Sequence, residues 1–322
     1  MATSRRTFLQ LTAAGALAAT PLPAMAATDL TFIVPLGSGG ALDKLARRVA
    51  KYLPDVSGYS VNVENRLIKG DSDGYQDFLK RPADGSTVLV WFEPAAATYE
   101  GNFHLDDLAV INVQEIEPPI LAARSDLGWT TLAEVAAEAG KRPNEIRIGA
   151  GKAGGHLMAT RRQFAELGIK IREVDYASGG KARKGLLAGE VELTVGSLKA
   201  IRDLGELVTP LAIMAPRRLR LWPEIPTIVE AVRFAKAKPV FGSAYRFFAV
   251  RREVKETKPE VFAKLTEAFR RLTLDHEPFR EASDGDMQWF GPADSSSLVA
   301  RAHAHFLDLK QDMILPAGHR GK

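Results

Sequence analysis

The hydrophobic residues of this chain form two kinds of pattern that alternate along the sequence. Short continuous apolar runs, as at residues 30–34, 87–92 and 120–123, are typical of buried β-strands. Between such runs, apolar residues recur every three or four positions, as at residues 42–53 and 156–167, which is typical of amphipathic helices. This alternation predicts an α/β fold with largely parallel sheets.

A pair of prolines, Pro118-Pro119, separates two sets of these strand and helix patterns. The chain has 322 residues, which is long enough for two domains. Long helical patterns at residues 259–274 and 295–309 close the chain. We therefore expect two α/β lobes, with the second beginning at the proline pair.

The first 26 residues show the features of a twin-arginine export signal in the right order. Arg5-Arg6 precede an alanine-rich apolar stretch at residues 11–20, and Ala24-Met25-Ala26 provide a small-x-small cleavage site. The apolar stretch is shorter than the roughly 20 residues that cross a bilayer. We predict that residues 1–26 are removed and that the protein is periplasmic. The alternative is a buried N-terminal helix.

Composition and charge exclude several kinds of chemistry. The chain has no cysteine, which excludes disulfides, thiolate metal sites and cysteine nucleophiles. Removal of the leader takes away Arg5 and Arg6 and no acidic residue, so the formal net charge falls from +4 to +2. A nearly neutral chain with only short basic clusters, such as residues 217–220, does not indicate nucleic-acid binding.

Three glycine-rich turns, at residues 37–40, 149–155 and 178–180, each lie between a predicted strand and a predicted helix. A helix N-terminus has unpaired N–H groups and a partial positive charge, and glycine allows a ligand to approach the backbone. Such ends suit carboxylates and phosphates, and ligands of α/β sheets collect at the carboxyl ends of strands. The turns together predict a shared anion site, although each glycine could also serve a tight turn.

The middle turn supports a second interpretation. Gly149, Gly151 and Gly154 have the G-x-G-x-x-G spacing of dinucleotide-binding loops, and Glu173 stands where an acid that binds ribose would stand. An exported NAD(P)-dependent oxidoreductase is therefore the alternative function. The motif is weakly specific by itself, and the sequence offers no convincing hydride-transfer site downstream.

Other catalytic and metal sites find little support in the sequence. A phosphate-binding P-loop fails because Ala182 follows Gly180-Lys181 where Ser or Thr is needed. His156 has no serine at a spacing that identifies a catalytic pair. His303 and His305 are two residues apart, so they point to different faces of the predicted helix. We expect no metal, no cofactor and no catalysis.

The order of motifs resembles the Bug-type solute receptors of tripartite tricarboxylate transporters. The match covers nearly the whole chain after residue 26, and the ordered series is more specific than any single motif. The matching segments are Pro35 to Asp43, with Leu36 in place of an aromatic residue, then Val63-Glu64-Asn65-Arg66, Pro82-Ala83-Asp84-Gly85, Gly149 to Leu157, Tyr176 to Gly180, Leu186 to Leu193, and Arg218 followed by Trp222 to Thr227.

This resemblance implies a two-lobed periplasmic-binding-protein architecture of type 2, the Venus flytrap, with a ligand cleft between the lobes. Residues 27–118 and 228–322 would form lobe 1, and residues 119–227 would form lobe 2. The implied function is capture of a small organic acid by a monomeric receptor, which delivers it to membrane transporter subunits. A receptor that reports to a sensor is an alternative within the same fold.

The resemblance also implies which residues bind the ligand, chiefly through backbone amides and ordered water. The candidates lie in the three glycine-rich loops: Ser38, Gly39 and Gly40 in the first, Lys152, Ala153, Gly154, Gly155 and His156 in the second, and Tyr176, Ser178, Gly179 and Gly180 in the third.

Several charged residues depart from the pattern of the family. Glu93 follows a predicted strand where the family usually has a small polar residue, and we expect it to meet an amine or hydroxyl of the ligand. Lys152 and Lys181 add positive charges near the second-lobe loops, and Asp71 and Asp73 add acidic groups. If these groups face the cleft, they favour a ligand that bears both signs, or a long diacid that touches Lys152 or Lys181. All five would be solvated surface charges if they lie outside the cleft.

Overall fold

The computed structural model describes residues 29–66, 73–99, 101, 103–151, 156–176, 178–283 and 288–314. Within these ranges the chain first builds an α/β unit and ends it with a long strand. Its elements are β1 (Asp29–Val34), α1 (Ala41–Ser57), β2 (Ser60–Asn65), α2 (Gly74–Lys80), β3 (Thr87–Glu93), α3 (Ala95–Thr98) and β4 (Leu108–Glu117).

The chain then builds a second α/β unit and returns to the first. The second unit contains β5 (Ile120–Arg124), α4 (Leu132–Lys141), β6 (Arg147–Gly151), α5 (His156–Glu166), β7 (Arg172–Tyr176), α6 (Gly179–Leu187), β8 (Leu193–Gly196), α7 (Leu198–Arg202) and β9 (Val208–Ile213). The remaining elements are α8 (Ile228–Ala231), β10 (Ala244–Arg251), α9 (Arg252–Thr257), α10 (Pro259–Asp275), α11 (Glu277–Ala282) and α12 (Pro292–Ile314).

The strands form two five-stranded sheets, in the orders β2-β1-β3-β10-β4 and β7-β6-β8-β5-β9. Pairing is parallel among β1, β2 and β3, and among β6, β7 and β8. β10 runs antiparallel to β3 and β4, and β5 runs antiparallel to β8 and β9. The sheets are thus mixed: in each, four strands run in one direction and one, β10 or β5, runs against them.

Local sequence explains the elements that lead to the loops. Leu45, Val49 and Leu53 are buried along one face of α1, against the first sheet. The helix ends at Gly58, whose φ of 72° is a left-handed conformation that glycine adopts without strain. In the second unit, Thr131 caps α4 in a capping box with Glu134.

β4 is a strand that the sequence analysis does not predict. Its polar residues Asn112 and Gln114 are buried, and they interrupt the apolar run. The Asn112 amide donates to Gln114 Oε1 over 2.7 Å, and Gln114 Nε2 donates to Thr273 Oγ1 over 3.2 Å. These bonds pair the two amide groups inside the first lobe, while Asn112 Oδ1 has no partner among the described residues.

Each sheet has hydrophobic clusters on both faces, and α12 contacts both units. Val299 packs on the first sheet, whereas Phe306 belongs to the core of the second. Ile228, Val232 and Val240 also lie in the second core, which differs from the predicted return to lobe 1 at residue 228. In the described ranges, no helix is both long enough and apolar enough to cross a bilayer.

Candidate ligand-binding cleft

The first glycine loop connects β1 to α1, and a buried carboxylate holds it in place. Asp43, which is 2% exposed, accepts a hydrogen bond from the Gly39 amide over 2.8 Å and one from Arg47 Nε over 3.0 Å. Gly39 has a φ of 81°, a left-handed conformation that a side chain would strain. The Gly39 amide is therefore engaged inside the protein, and the residue shapes the loop.

The Val63-Glu64-Asn65-Arg66 motif supports the same loop. Asn65 accepts from Arg47 Nη2 over 2.9 Å and donates to the Leu36 carbonyl over 3.0 Å. Burial alone raises the pKa of Asp43, but the bonds from Arg47, the Gly39 amide and Asn65 outweigh burial and hold this pKa below its usual range. Asp43 thus stays ionised at neutral pH.

The other two predicted residues of this loop, Ser38 and Gly40, are exposed. Gly40 is the N-cap of α1, and no side chain caps it. Its φ of −73° is ordinary, and an added Cβ would lie 3.6 Å from the Gly37 carbonyl, a normal contact. Since Gly40 and Ala41 are both exposed, the N-terminal end of α1, which carries a partial positive charge, is accessible to solvent.

The second and third loops touch each other. A Cβ added to Gly151, the last residue of β6, would lie 2.5 Å from Gly179 N and 2.8 Å from the Ser178 carbonyl carbon. Backbone packs here directly on backbone. Of the second-loop candidates, Lys152, Ala153, Gly154 and Gly155 lie outside the described residues and stay predictions.

The third loop begins α6 at its N-cap, Ser178, whose side chain accepts from the Lys181 amide over 3.3 Å. Ser178, Gly179 and Gly180 are all exposed, as is Lys181. This cap uses one amide of the first turn, and the preceding amides remain available to a ligand.

Tyr176 has internal contacts. Its hydroxyl donates to Glu190 Oε2 over 2.7 Å. Its ring covers Gly149, where an added Cβ would lie 2.8 Å from Tyr176 Cε2, and it also contacts Gly185. Gly149 and Gly185 therefore make room for this ring, and the structure gives Tyr176 a packing role. Its predicted contact with a ligand stays a prediction.

His156 begins α5, and its side chain is partly buried. Loss of solvation lowers its pKa to about 4; Glu117 opposes this shift, and Arg246 adds to it. The imidazole is therefore neutral at pH 7. Within the described ranges, no hydrogen bond joins this imidazole to another group.

The structure shows a group of charges that the sequence analysis misses. Arg246 on β10 is 7% exposed and binds Glu115 Oε2 over 2.9 Å and Glu117 Oε2 over 2.5 Å. Arg48 of α1 binds the other oxygen of Glu115. Glu115 and Glu117 are two positions apart, a spacing that places two side chains on the same face of a strand. The spacing could have indicated this group only if the sequence had predicted β4.

Glu93 has only internal partners in the described structure. It is 0% exposed, its Oε1 lies 2.7 Å from His303 Nδ1, and its Oε2 accepts from the Ala97 amide over 3.1 Å. Burial raises its pKa, and His303 and the Ala97 amide offset only part of that rise. Its predicted contact with an amine or hydroxyl of the ligand stays a prediction, which these bonds do not support.

Other predicted charges are placed as follows. Asp73 caps α2 by accepting from the amides of Tyr75 and Gln76, whereas Asp71 lies outside the described residues. His303 and His305 have different partners, since His305 Nε2 lies 2.8 Å from the Phe241 carbonyl. In the part of the chain that the structure describes, no group of histidines and acids could hold a metal ion.

The acidic residue that the dinucleotide interpretation requires, Glu173, has a partner within the protein. Glu173 is paired with Arg161, whose Nε donates to Glu173 Oε1 over 2.6 Å. Tyr176 and the Ser178-Gly179 backbone fill the space beside Gly149 and Gly151. The contacts of these groups therefore do not support the oxidoreductase alternative.

The motif near residue 220 is structural. Arg218 binds Glu230 Oε2 over 3.0 Å and donates to the Pro223 carbonyl over 2.7 Å. Thr227 and Glu230 form a capping box at the start of α8. The Arg218 side chain and the Thr227 amide together lower the pKa of Glu230 to about 2. This motif closes the turn after β9.

Comparisons with known proteins agree with these observations. The profile described as the tripartite tricarboxylate transporter family receptor matches residues 45–299. BugT of Bordetella pertussis is 28% identical over 216 residues, which are 63% of this chain and 66% of BugT. The UPF0065 protein in the tcbD-tcbE intergenic region of Pseudomonas sp. (strain P51) is 25% identical over 222 residues, 65% of each chain. The chain thus spans slightly less than two thirds of the length of each relative.

Among solved structures, R. palustris Rpa4515 with adipate superposes with a TM-score of 0.72. It is 24% identical, and the superposition covers 88% of this chain and 96% of that chain. This likeness, together with the two sheets, confirms the two-lobed α/β architecture predicted from the sequence. Since the profile covers more than half of the chain, the protein belongs to the receptor family of the tripartite tricarboxylate transporters.

Proposed function

We propose that this protein is an extracytoplasmic receptor that binds a small organic carboxylate between its lobes and delivers it to a separate membrane transporter. Membership of a receptor family supports this function. The fold is shared with Rpa4515, whose structure was solved with adipate. The observation that carries the proposal is the close packing of Gly151, at the end of β6, on Ser178 and Gly179 of the third glycine-rich loop.

The electrostatics of these loops suit an anion. α1 and α6 present open N-termini, where unpaired amides and the helix dipole stabilise negative charge. Lys181 adds a positive charge beside the third loop. A carboxylate that enters between the lobes can therefore accept hydrogen bonds from backbone amides whose positions are already fixed. Bringing the lobes together around it would hold the ligand out of water.

Export by the twin-arginine route and a monomeric state are part of the same proposal. The Arg5-Arg6 pair, the apolar stretch and the Ala24-Met25-Ala26 site support removal of residues 1–26 before the receptor acts in the periplasm. Delivery to a sensor instead of a transporter would use the same cleft.

A thermal-shift screen of residues 27–322 tests this function. The ligands are mono-, di- and tricarboxylates, aromatic acids, acidic amino acids, NAD and NADP. We expect one class of carboxylate to raise the melting temperature by several degrees, because a ligand that binds only the folded state stabilises it. A rise with NAD or NADP alone would overturn the receptor proposal in favour of the oxidoreductase.

A further inference from the structure

A cluster of four charges lies where the chain crosses from one lobe to the other. Arg48, Glu115, Glu117 and Arg246 come from α1, β4 and β10. Glu117 is the last residue of β4 and stands directly before Pro118-Pro119, which leads into β5. Two cations and two carboxylates balance, so the cluster as a whole does not attract a further anion.

The two carboxylates differ in how many of their oxygen atoms form hydrogen bonds with described residues. Both oxygens of Glu115 are bonded, Oε1 to Arg48 and Oε2 to Arg246. Glu117 uses Oε2 to bind Arg246 over 2.5 Å, and no donor of the described residues reaches its Oε1. The side chain of Glu117 is 20% exposed. Glu117 Oε1 is therefore an acceptor that no donor of the described residues uses.

The second-lobe helix α5 packs on this crossing. A Cβ added to Gly242, on the returning segment, would lie 2.7 Å from Ala159 Cβ and 3.3 Å from Pro119 Cγ. Ala159 is three residues after His156, and Pro119 is two residues after Glu117. This packing brings the start of α5, which carries the second glycine loop, close to the end of β4.

His156 and Glu117 are complementary. The charges of Glu117 and Arg246 both act on His156, in agreement with the packing of Ala159 and Pro119 on Gly242. A neutral imidazole without a partner among the described residues can donate one hydrogen bond to a ligand carboxylate. Glu117 Oε1 can accept one from a neighbouring hydroxyl or ammonium. Together the two side chains offer a donor and an acceptor at the same end of the cleft.

We propose that His156 and Glu117 select a ligand that carries a hydroxyl or ammonium group next to a carboxylate. This inference rests on the proposed receptor function and names the class of its ligand as substituted acids. A site that offers a charged acceptor rejects an analogue without a donor, because the acceptor then loses water without gaining a partner. The acidic role that the sequence analysis expects of Glu93 belongs to Glu117.

Calorimetric titrations with matched acids test this selection. The probes are succinate with malate and aspartate, and adipate with 2-aminoadipate. We expect the wild type to bind a substituted acid at least about tenfold more tightly than its unsubstituted partner, as one charge-assisted hydrogen bond would give. Comparison of malate, which carries a hydroxyl, with aspartate, which carries an ammonium group, shows which donor the site prefers. Either preference supports the proposal.

Two matched variants test whether Glu117 is the residue that selects substituted acids. In Glu117→Gln, we expect the amide oxygen to bind Arg246, which places an NH2 group where Oε1 stood. The preference for substituted acids should then disappear, because the substituted acid loses its acceptor and the unsubstituted acid no longer has to desolvate a carboxylate. Glu115→Gln removes the same charge from the same cluster, but no free acceptor, and should keep the preference. Melting temperatures of the unliganded variants show that each is folded.

Three outcomes would overturn the proposal in distinguishable ways. A wild type that prefers unsubstituted acids contradicts the selection without the need for any variant, and leaves the receptor function standing. A Glu117→Gln variant that keeps the full preference for substituted acids shows that Glu117 does not accept a hydrogen bond from the hydroxyl or ammonium group of the ligand. If no acid of either set binds the wild type while the screen finds no other carboxylate, the receptor proposal itself fails.

Discussion

The two lobes share one plan but hold their glycine loops by different means. Each contains a five-stranded sheet in which four strands run in one direction and one, β10 or β5, runs against them. In the first lobe a buried carboxylate, Asp43, binds the Gly39 amide and is itself held by Arg47 and Asn65. In the second lobe no such charge is needed, because Gly151 packs directly on Ser178-Gly179.

This difference teaches how each half of the site keeps its shape. The first loop depends on ionised and hydrogen-bonded side chains, so its geometry is sensitive to pH and to changes in those groups. The loops of the second lobe depend on the absence of side chains, so they are sensitive to volume. Substitutions that add volume and substitutions that remove charge should therefore act on different lobes.

The largest effect is expected from Gly151→Ala. The added methyl group would meet the backbone of Ser178 and Gly179, which cannot move as easily as the end of a side chain. We expect a loss of about 1–3 kcal/mol in the free energy of unfolding, measured by urea denaturation, and weaker ligand binding. Gly140→Ala, in α4 with nothing within 4 Å, should leave binding unchanged and should not destabilise. Equal effects of both variants would contradict the interpretation that close backbone packing at Gly151 holds the loops of the second lobe in place.

Asp43→Ala tests whether the buried carboxylate holds the first glycine loop in place. It removes the acceptor for the Gly39 amide and the partner of Arg47, and we expect a loss of about 2 kcal/mol together with weaker binding. Because the folded-state pKa of Asp43 is lowered, its contribution is present above the usual value of 3.8 and disappears as the pH falls through the folded-state pKa. Denaturation curves at several pH values measure both effects.

An aspartate that holds a different turn serves as the control for Asp43→Ala. Asp84 accepts from the Ser86 amide over 2.9 Å, in the turn that precedes β3. Asp84→Ala should lower stability by a smaller amount and leave ligand affinity unchanged. A similar loss of affinity in both variants would mean that Asp43 acts through general destabilisation.

Gly39→Ala compared with Gly58→Ala separates strain from function. Both glycines have positive φ, 81° and 72°, with nothing within 4 Å of an added Cβ. Each variant should lose about 1 kcal/mol of stability through backbone strain. Only Gly39→Ala should weaken binding, because Gly58 lies at the far end of α1. Titration of each variant with the identified carboxylate checks this, and unchanged affinity in Gly39→Ala would remove the first loop from the site.

The smallest effect concerns Glu93, a buried carboxylate whose pKa shifts in the direction opposite to that of Asp43. Its raised pKa means that the folded protein retains a proton which the unfolded chain releases above the usual value of 4.5. The stability contributed by Glu93 therefore falls as pH rises through this range. The stability difference between wild type and Glu93→Gln should show this slope, and a difference that rises with pH would contradict it.

Local patterns in the sequence predicted the framework of both lobes. The apolar spacing over residues 42–53, which includes Leu45, Val49 and Leu53, predicted α1. The three loops were also located correctly between strands and helices. These features depend on residues within a few positions of each other, so a pattern along the chain is sufficient to show them.

The sequence did not show β4, because buried Asn112 and Gln114 break its apolar run and find partners only in the folded lobe. Without that strand, the shared face of Glu115 and Glu117 was invisible. The mixed direction of the sheets was likewise missed, because it depends on how the crossing strands pair after the lobes have formed.

By itself, the sequence thus determined the glycine loops, the helices that follow them and the order of motifs that indicates the family. Tertiary structure alone decided which charges meet: Glu93 pairs with His303, 210 positions away, and Arg246 pairs with Glu117 across 129 positions. The physical reason is that loop and helix signals come from short-range geometry. Ion pairing instead depends on which distant side chains share a low-dielectric environment after packing.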